Sequence, residues 1–216
     1  MDTNLDEIKE AAIILLHIDP EPVKEIPIFL SHPFFETAVQ KIPDEDNLFN
    51  IFEDDDRYRK LLAFTEDSIN RAKTAIKIFM FIRPQYRLTL FKYSCDYMSE
   101  SDFEDILLNS WQSSEFPSYD INVTKQEYIK WFKRLNYKST FPDIVTIYRG
   151  VRKCGEIGMS WTLSEDKAVW FAQRYNKDKG IVYKAKIKSK DILYYIDSSE
   201  QEIIVDPKKL MQIEEI

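Results

Sequence analysis

The sequence predicts an α+β protein in which helices come first and strands follow. Residues 1–140 hold apolar residues at near-helical spacing and two capping-box patterns, Ser101-Asp102-Phe103-Glu104 and Thr124-Lys125-Gln126-Glu127. From Asp143 onward the apolar residues are β-branched and alternate at the two-residue period of a half-buried strand. Helices first and strands later argues against an alternating parallel sheet. The expected organisation is a mostly helical region, 1–140, followed by a strand-rich domain, 141–216.

Taken in order, residues 5–17 predict a helix stopped by Pro20 and Pro22. Ser31-His32-Pro33 reads as a cap opening a short helix through Gln40. Residues 44–56 are acidic and predict a loop or short helices, with Asp54-Asp55-Asp56 at a solvated corner. Glu66 to Phe81 predicts one longer helix closed by Pro84. The two capping boxes open helices over 106–111 and 128–135. Ile144 to Tyr148 and Met159 to Leu163 predict strands. Ser164-Glu165-Asp166 then caps a helix with Ala168, Phe171, Ala172 and Tyr175 on one stripe. Residues 181–187, 192–196 and 202–205 predict further strands, with a last short one over 210–213.

Composition narrows the function classes. The charge is uneven: residues 1–140 hold 17 basic against 25 acidic side chains, and residues 141–216 hold 13 against 12. An acidic first part disfavours that part as a nucleic-acid surface, because phosphate contacts need clustered Lys and Arg. His17, His32, Cys95 and Cys154 are too few and too scattered for a zinc site. No stretch has the length of a membrane span, and the start lacks the pattern of a signal peptide, so a cytoplasmic protein without membrane partners is expected.

Three short polar pieces stand in or beside the predicted strands: Tyr148-Arg149-Gly150, Ser160-Trp161-Thr162 and Glu200-Gln201-Glu202. If Glu200 and Glu202 lie in a strand, both carboxylates project from one face at the mouth of the apolar run Ile203-Ile204-Val205. Taken alone, such a pair is more often a solvated strand edge. Arg149 closes a strand, where a guanidinium can fork onto a diphosphate, or simply pair with a nearby acid. Gly150 beside it lets backbone approach a flat ligand closely. Ser160 and Thr162 share one strand face, and Trp161 takes the other. Lys184, Lys186 and Lys188 line one side of a strand, as a solvated row or as a phosphate-binding surface.

In this order, and with residues 164–172 after the second piece, the pattern resembles the mono-ADP-ribosyltransferases of the Arg-Ser-Glu type over roughly residues 144–213. The commonest middle motif of that family is Ser-Thr-Ser, and Trp161 and Thr162 depart from it. The resemblance implies a split β-sandwich with NAD, as substrate, in the cleft between two small sheets. It implies Arg149, Ser160, Glu200 and Glu202 as catalytic residues, and Arg149, Gly150, Ser160, Trp161, Thr162 and Phe171 as NAD-binding. Residues 195–199 would form the loop that meets the target. Glu202 would be the central carboxylate and Glu200 the acceptor-side one, orienting a target arginine.

The expected activity is transfer of ADP-ribose from NAD to a macromolecule, with arginine on a protein the leading acceptor and nicotinamide released. That is a glycosyltransferase reaction of a toxin-like effector, bacterial or phage, acting in its own cytoplasm or inside a host cell. Two alternatives stay open: transfer to nucleic acid or to water, and a non-catalytic phage or bacterial interaction protein that keeps the fold. Two chemical features suit the residues independently. An oxocarbenium-like centre forms when the nicotinamide–ribose bond breaks, and a fixed carboxylate stabilises it.

Overall fold

The computed structural model describes residues 2–43, 45–114, 122–152, 157–174 and 180–216; Cys154 and Tyr175 lie outside them. The chain divides into two compact units, residues 1–123 and 124–216. The division falls ahead of the helix opened by Thr124, not at residue 140, because that helix packs on strands of the second unit. Among the described residues no helix is long and apolar enough to cross a membrane.

The first unit is more mixed than its sequence predicts. Helix α1, Leu5–Leu16, is capped by the Asn4 side chain and buries Ile8, Ala12, Leu15 and Leu16 on one stripe. Two hairpins follow where a short helix and loops are expected: β1, Glu21–Val23, with β2, Ile26–Ser31, and β3, Val39–Lys41, with β4, Leu48–Asn50. The helix expected from Ser31 to Gln40 does not form, and the competing interactions are visible. The Arg83 guanidinium takes the carbonyls of Leu30, His32 and Phe35, which a helix would use internally. Backbone bonds from Leu30 N to Glu36 O and from Ala38 N to Ile28 O hold the segment against β2.

Helix α2, Asp55–Arg71, begins at the acidic corner itself, since Asp54 caps it by accepting from Arg57 N and Asp55 and Asp56 suit its positive end. The long helix expected over 66–81 is therefore two. Residues 72–74 are non-helical, and α3, Ala75–Phe81, starts afresh after an extended Thr74. Helices α4, Arg87–Ser94, and α5, Glu100–Ser113, complete the unit. The α5 cap is Ser99, two residues before the expected box, with its hydroxyl accepting from Asp102 N.

The second unit opens with α6, Lys125–Arg134, where the Thr124/Glu127 capping box forms as its spacing predicts. Then come β5, Ile144–Arg152; β6, Ser160–Thr162; α7, Glu165–Gln173; β7, Gly180–Lys188; β8, Ile192–Ile196; β9, Glu202–Val205; and β10, Met211–Glu215. All six strands form one antiparallel sheet in the order β10-β7-β5-β6-β9-β8. The β5–β7 ladder is in register over nine pairs, from Ile144↔Lys188 to Arg152↔Gly180. By contrast, β5 meets β6 at one pair only, Tyr148↔Thr162. Two three-stranded halves are thus hinged on a single ladder pair, where a pair of separate sheets is expected. One face of the sheet buries Val145, Ile147, Trp161, Ala185, Ile187, Ile203 and Val205 as the main core. Over the opposite face lies α7, packing Ala168 and Ala172 with Val182 and Tyr148.

Candidate active site

The three sequence motifs reach three strands of the sheet, and β6 carries the central one. Ser160, Trp161 and Thr162 pair with Ile204, Ile203 and Glu202 of β9. Paired residues share a face in an antiparallel sheet, so Thr162 and Glu202 stand side by side. Tyr148 pairs with Thr162 from the other flank.

Arg149 follows at the place where β5 and β6 part. Its guanidinium donates to the Ser160 carbonyl and so bridges the gap between the two halves. The space it occupies is left by a glycine: a Cβ on Gly158 would lie 2.7 Å from Arg149 Nη2 and 3.0 Å from its Cζ. Gly158 is one of only four glycines in the chain, and that scarcity was the signal for it in the sequence.

Glu202 is buried, and among the described residues it is the one carboxylate in that state. A buried carboxylate persists only with compensation, and confining one at the start of a strand fixes its position tightly. Glu200 is placed otherwise. Gln201 has φ of +48°, in the left-handed region, which breaks the strand alternation between the two glutamates. The two carboxylates therefore do not project together: Glu202 is inside the sheet, and Glu200 is exposed in the turn before β9.

That turn is tied down by Thr162. Its hydroxyl donates to the Glu200 carbonyl at 2.6 Å and accepts from Ser164 N at 3.1 Å. One buried side chain thus connects the turn to the start of α7, whose cap is the Ser164 side chain, 3.3 Å from Lys167 N. Tyr195, just before the turn, donates to Asp197 at 3.2 Å. Burial, and then the Asp197 charge, hold its hydroxyl above the usual tyrosine value.

Two of the expected NAD-binding residues have structural employment instead. Trp161 is 2 % exposed in the main core, with its indole N–H on the Gly158 carbonyl at 3.0 Å, so it braces the loop below Arg149 and presents no ring to a ligand. Gly150 is covered by α7: a Cβ there would lie 1.9 Å from the Ala168 carbonyl oxygen and 2.5 Å from Ala172 N. Its missing side chain admits a helix where the sequence suggested a flat ligand.

A cavity of about 320 Å³ opens between α7 and the turn, lined by Asp166, Lys167, Trp170, Phe171, Ser199 and Glu200. Of the expected site residues it takes in Glu200 and Phe171; Arg149, Ser160 and Glu202 are not on its wall. Sequence reasoning passed over Asp166, Lys167 and Trp170. The available signal was an adjacent ring pair, Trp170-Phe171, on a helix whose first turn is acidic. Comparison with protein-family models, with curated proteins and with solved structures found nothing that matches this chain.

Proposed function

We propose that the second unit is an NAD-dependent mono-ADP-ribosyltransferase of the Arg-Ser-Glu type, with a protein arginine as acceptor and a cytoplasm as its place of action. The observation that carries the reading is the fork in the sheet. Arg149 reaches the Ser160 carbonyl where β5 and β6 diverge, and Glu202 is buried on β9, the neighbour of β6. A guanidinium and a fixed carboxylate on either side of one strand are the groups a diphosphate–ribose substrate requires. In this reading Arg149 holds phosphate, Ser160 the ribose, and Glu202 accepts from the ribose 2′-hydroxyl. The C1′–N bond breaks with its electron pair leaving on neutral nicotinamide. The acceptor nitrogen supplies the pair for the new C–N bond, and its proton passes to Glu200. Trp161 and Gly150 support the fold of the site and are left out of the NAD contacts.

The test is nicotinamide release from NAD by the wild type beside Glu202→Gln. The exchange keeps the shape and removes the charge, so release falls by about 10²-fold or more. A wild type that releases no nicotinamide, or a variant as fast as wild type, defeats the reading. Transfer to water is a second reading, favoured by the separation of Glu200 from the Glu202 face. It predicts free ADP-ribose accumulating at the same rate with and without a guanidino acceptor.

A further inference from the structure

We infer that one end of the second unit is a nucleic-acid-binding surface, which holds the phosphate backbone through lysines set apart from the Arg149–Glu202 fork. The β5–β7 ladder gathers the lysine row on a single sheet face. Lys184, Lys186 and Lys188 pair with Tyr148, Thr146 and Ile144, all on the side opposite the main core. Helix α7 packs against that side at its Val182 and Tyr148 end. Towards Ile144 the face is open: Lys186 and Lys188 are exposed, Ile144 is 55 % exposed and Thr146 is half-buried.

Neighbouring connections bring more lysines to the same end. Strand β7 passes into β8 through Ser189–Asp191 and β9 into β10 through residues 206–210, and the pair Ile192↔Val205 sets the two connections side by side. Ser139 joins them, its hydroxyl 2.6 Å from that of Ser189. Lys138, Lys190, Lys208 and Lys209 therefore stand with Lys186 and Lys188, all six exposed. Lys184 pairs with Glu214 at 3.4 Å, whereas none of the six forms an ion pair among the described residues. Asp143, Asp191 and Asp206 share the region, so six lysines face three acids on a chain whose net charge is −7. Like charges gathered at one end repel, and a polyanion relieves that repulsion.

Along β7 the lysines recur every second residue, about 7 Å apart, a row that an extended phosphate backbone can follow. Lysine is a point charge without the fork of arginine, and a hydroxyl such as that of Thr146 suits phosphate oxygens, so the contacts hold backbone and not sequence. A bilayer asks for an apolar face that inserts among headgroups, where these positions offer lysines, Thr146 and one isoleucine. Strand β9 runs from Glu202, beside the Glu200 turn, to Val205, beside the lysines, so bound nucleic acid leaves the fork open. The surface needs no NAD chemistry and stands or falls apart from the transferase reading.

Fluorescein-labelled oligo(dT) and oligo(U) of about 20 nucleotides test it on the full chain by anisotropy. Binding weakens as salt rises from about 50 to about 200 mM. The triple variant Lys186→Gln/Lys188→Gln/Lys190→Gln binds at least about tenfold more weakly and flattens the log–log salt slope by about 2, with its urea midpoint at the wild-type value. Lys41→Gln/Lys73→Gln/Lys77→Gln, which removes the same charge from the first unit, changes affinity by less than about twofold. No binding by the wild type, an equal loss in the first-unit variant, or a salt slope unmoved by the triple substitution overturns the surface. Equal affinity for polyglutamate, or capture by phosphatidylserine vesicles but by neither oligonucleotide, overturns nucleic acid as the partner. Tighter binding of oligo(U) than of oligo(dT) assigns RNA, and the reverse assigns DNA.

Discussion

His32 illustrates how a single side chain can set both local structure and response to pH. Its ring is fully buried and stacked on Phe35 at 4.7 Å between centroids. Its Nδ1 accepts from the backbone N–H groups of Phe34 and Phe35, each at 3.1 Å, so a second proton has no place there. Burial, helped by the nearby Arg83 charge, pushes its pKa down to about 4, against the opposing pull of the Leu16 and Ile18 backbone. A base with a lowered folded-state pKa binds fewer protons folded than unfolded in the interval between the two values. Its contribution is complete above its unfolded pKa of 6.5 and is lost as pH falls towards about 4. Urea unfolding at about pH 7 and about pH 5 should therefore differ by about 2 kcal/mol from this residue alone. The same comparison in His32→Asn should lack that part, and an identical pH dependence in both proteins would show that His32 does not govern it. Nothing in the sequence marks this histidine as buried, because the burial depends on Arg83 drawing the 30–35 backbone around it.

At the scale of elements, small residues decide where α7 sits. Gly150 and Gly180, close together at one end of the β5–β7 ladder, both have their Cβ space filled by α7 backbone: Gly180 would meet the Ala172 carbonyl oxygen at 2.0 Å. Ala168 and Ala172 complete a close helix-on-sheet approach. The two glycines near Arg149 therefore predict opposite outcomes on substitution. Gly150→Ala drives a methyl into helix backbone, which cannot yield as a side chain can, and should cost at least about 3 kcal/mol in chemical denaturation. Gly158→Ala meets only the tip of the Arg149 side chain, which can swing away, so stability should fall by no more than about 1 kcal/mol. Displacing the guanidinium should nonetheless abolish most nicotinamide release. A stable Gly150→Ala, or an active Gly158→Ala, would contradict these packing assignments. The caps of α6 and α7 were readable because Thr124 with Glu127, and Ser164 with Lys167 N, act within one turn. The cap of α5 was displaced to Ser99, since two serines compete there and tertiary packing of Phe103, Ile106 and Leu107 selects the register.

On the scale of the whole molecule, each unit has a core of its own. The second unit surrounds its sheet with Trp161, Ile147, Ile187 and Ile203 on one side and the α7 alanines on the other, while α6 buries Tyr128, Trp131 and Phe132. Phe132 reaches Tyr194 of β8 at 6.4 Å between ring centroids, which ties α6 to the strands. A fragment spanning 124–216 should therefore unfold cooperatively in urea, whereas one starting at 141 should lose cooperativity for lack of α6. A non-cooperative 124–216 fragment would mean that the second unit needs the first to fold.

The sequence by itself determined the α+β class, the strands β5, β7, β8 and β9, and the order of the Arg, Ser and Glu motifs. Those follow from period, branching and caps, which act between residues close along the chain. Only tertiary structure decided that Glu202 is buried while Glu200 is exposed, that Trp161 and Gly150 serve packing, and that the sheet forks beside Arg149. Each of those depends on which strand lies next to which and on which backbone approaches within about 3 Å, and such neighbours are set by long-range packing rather than by local spacing.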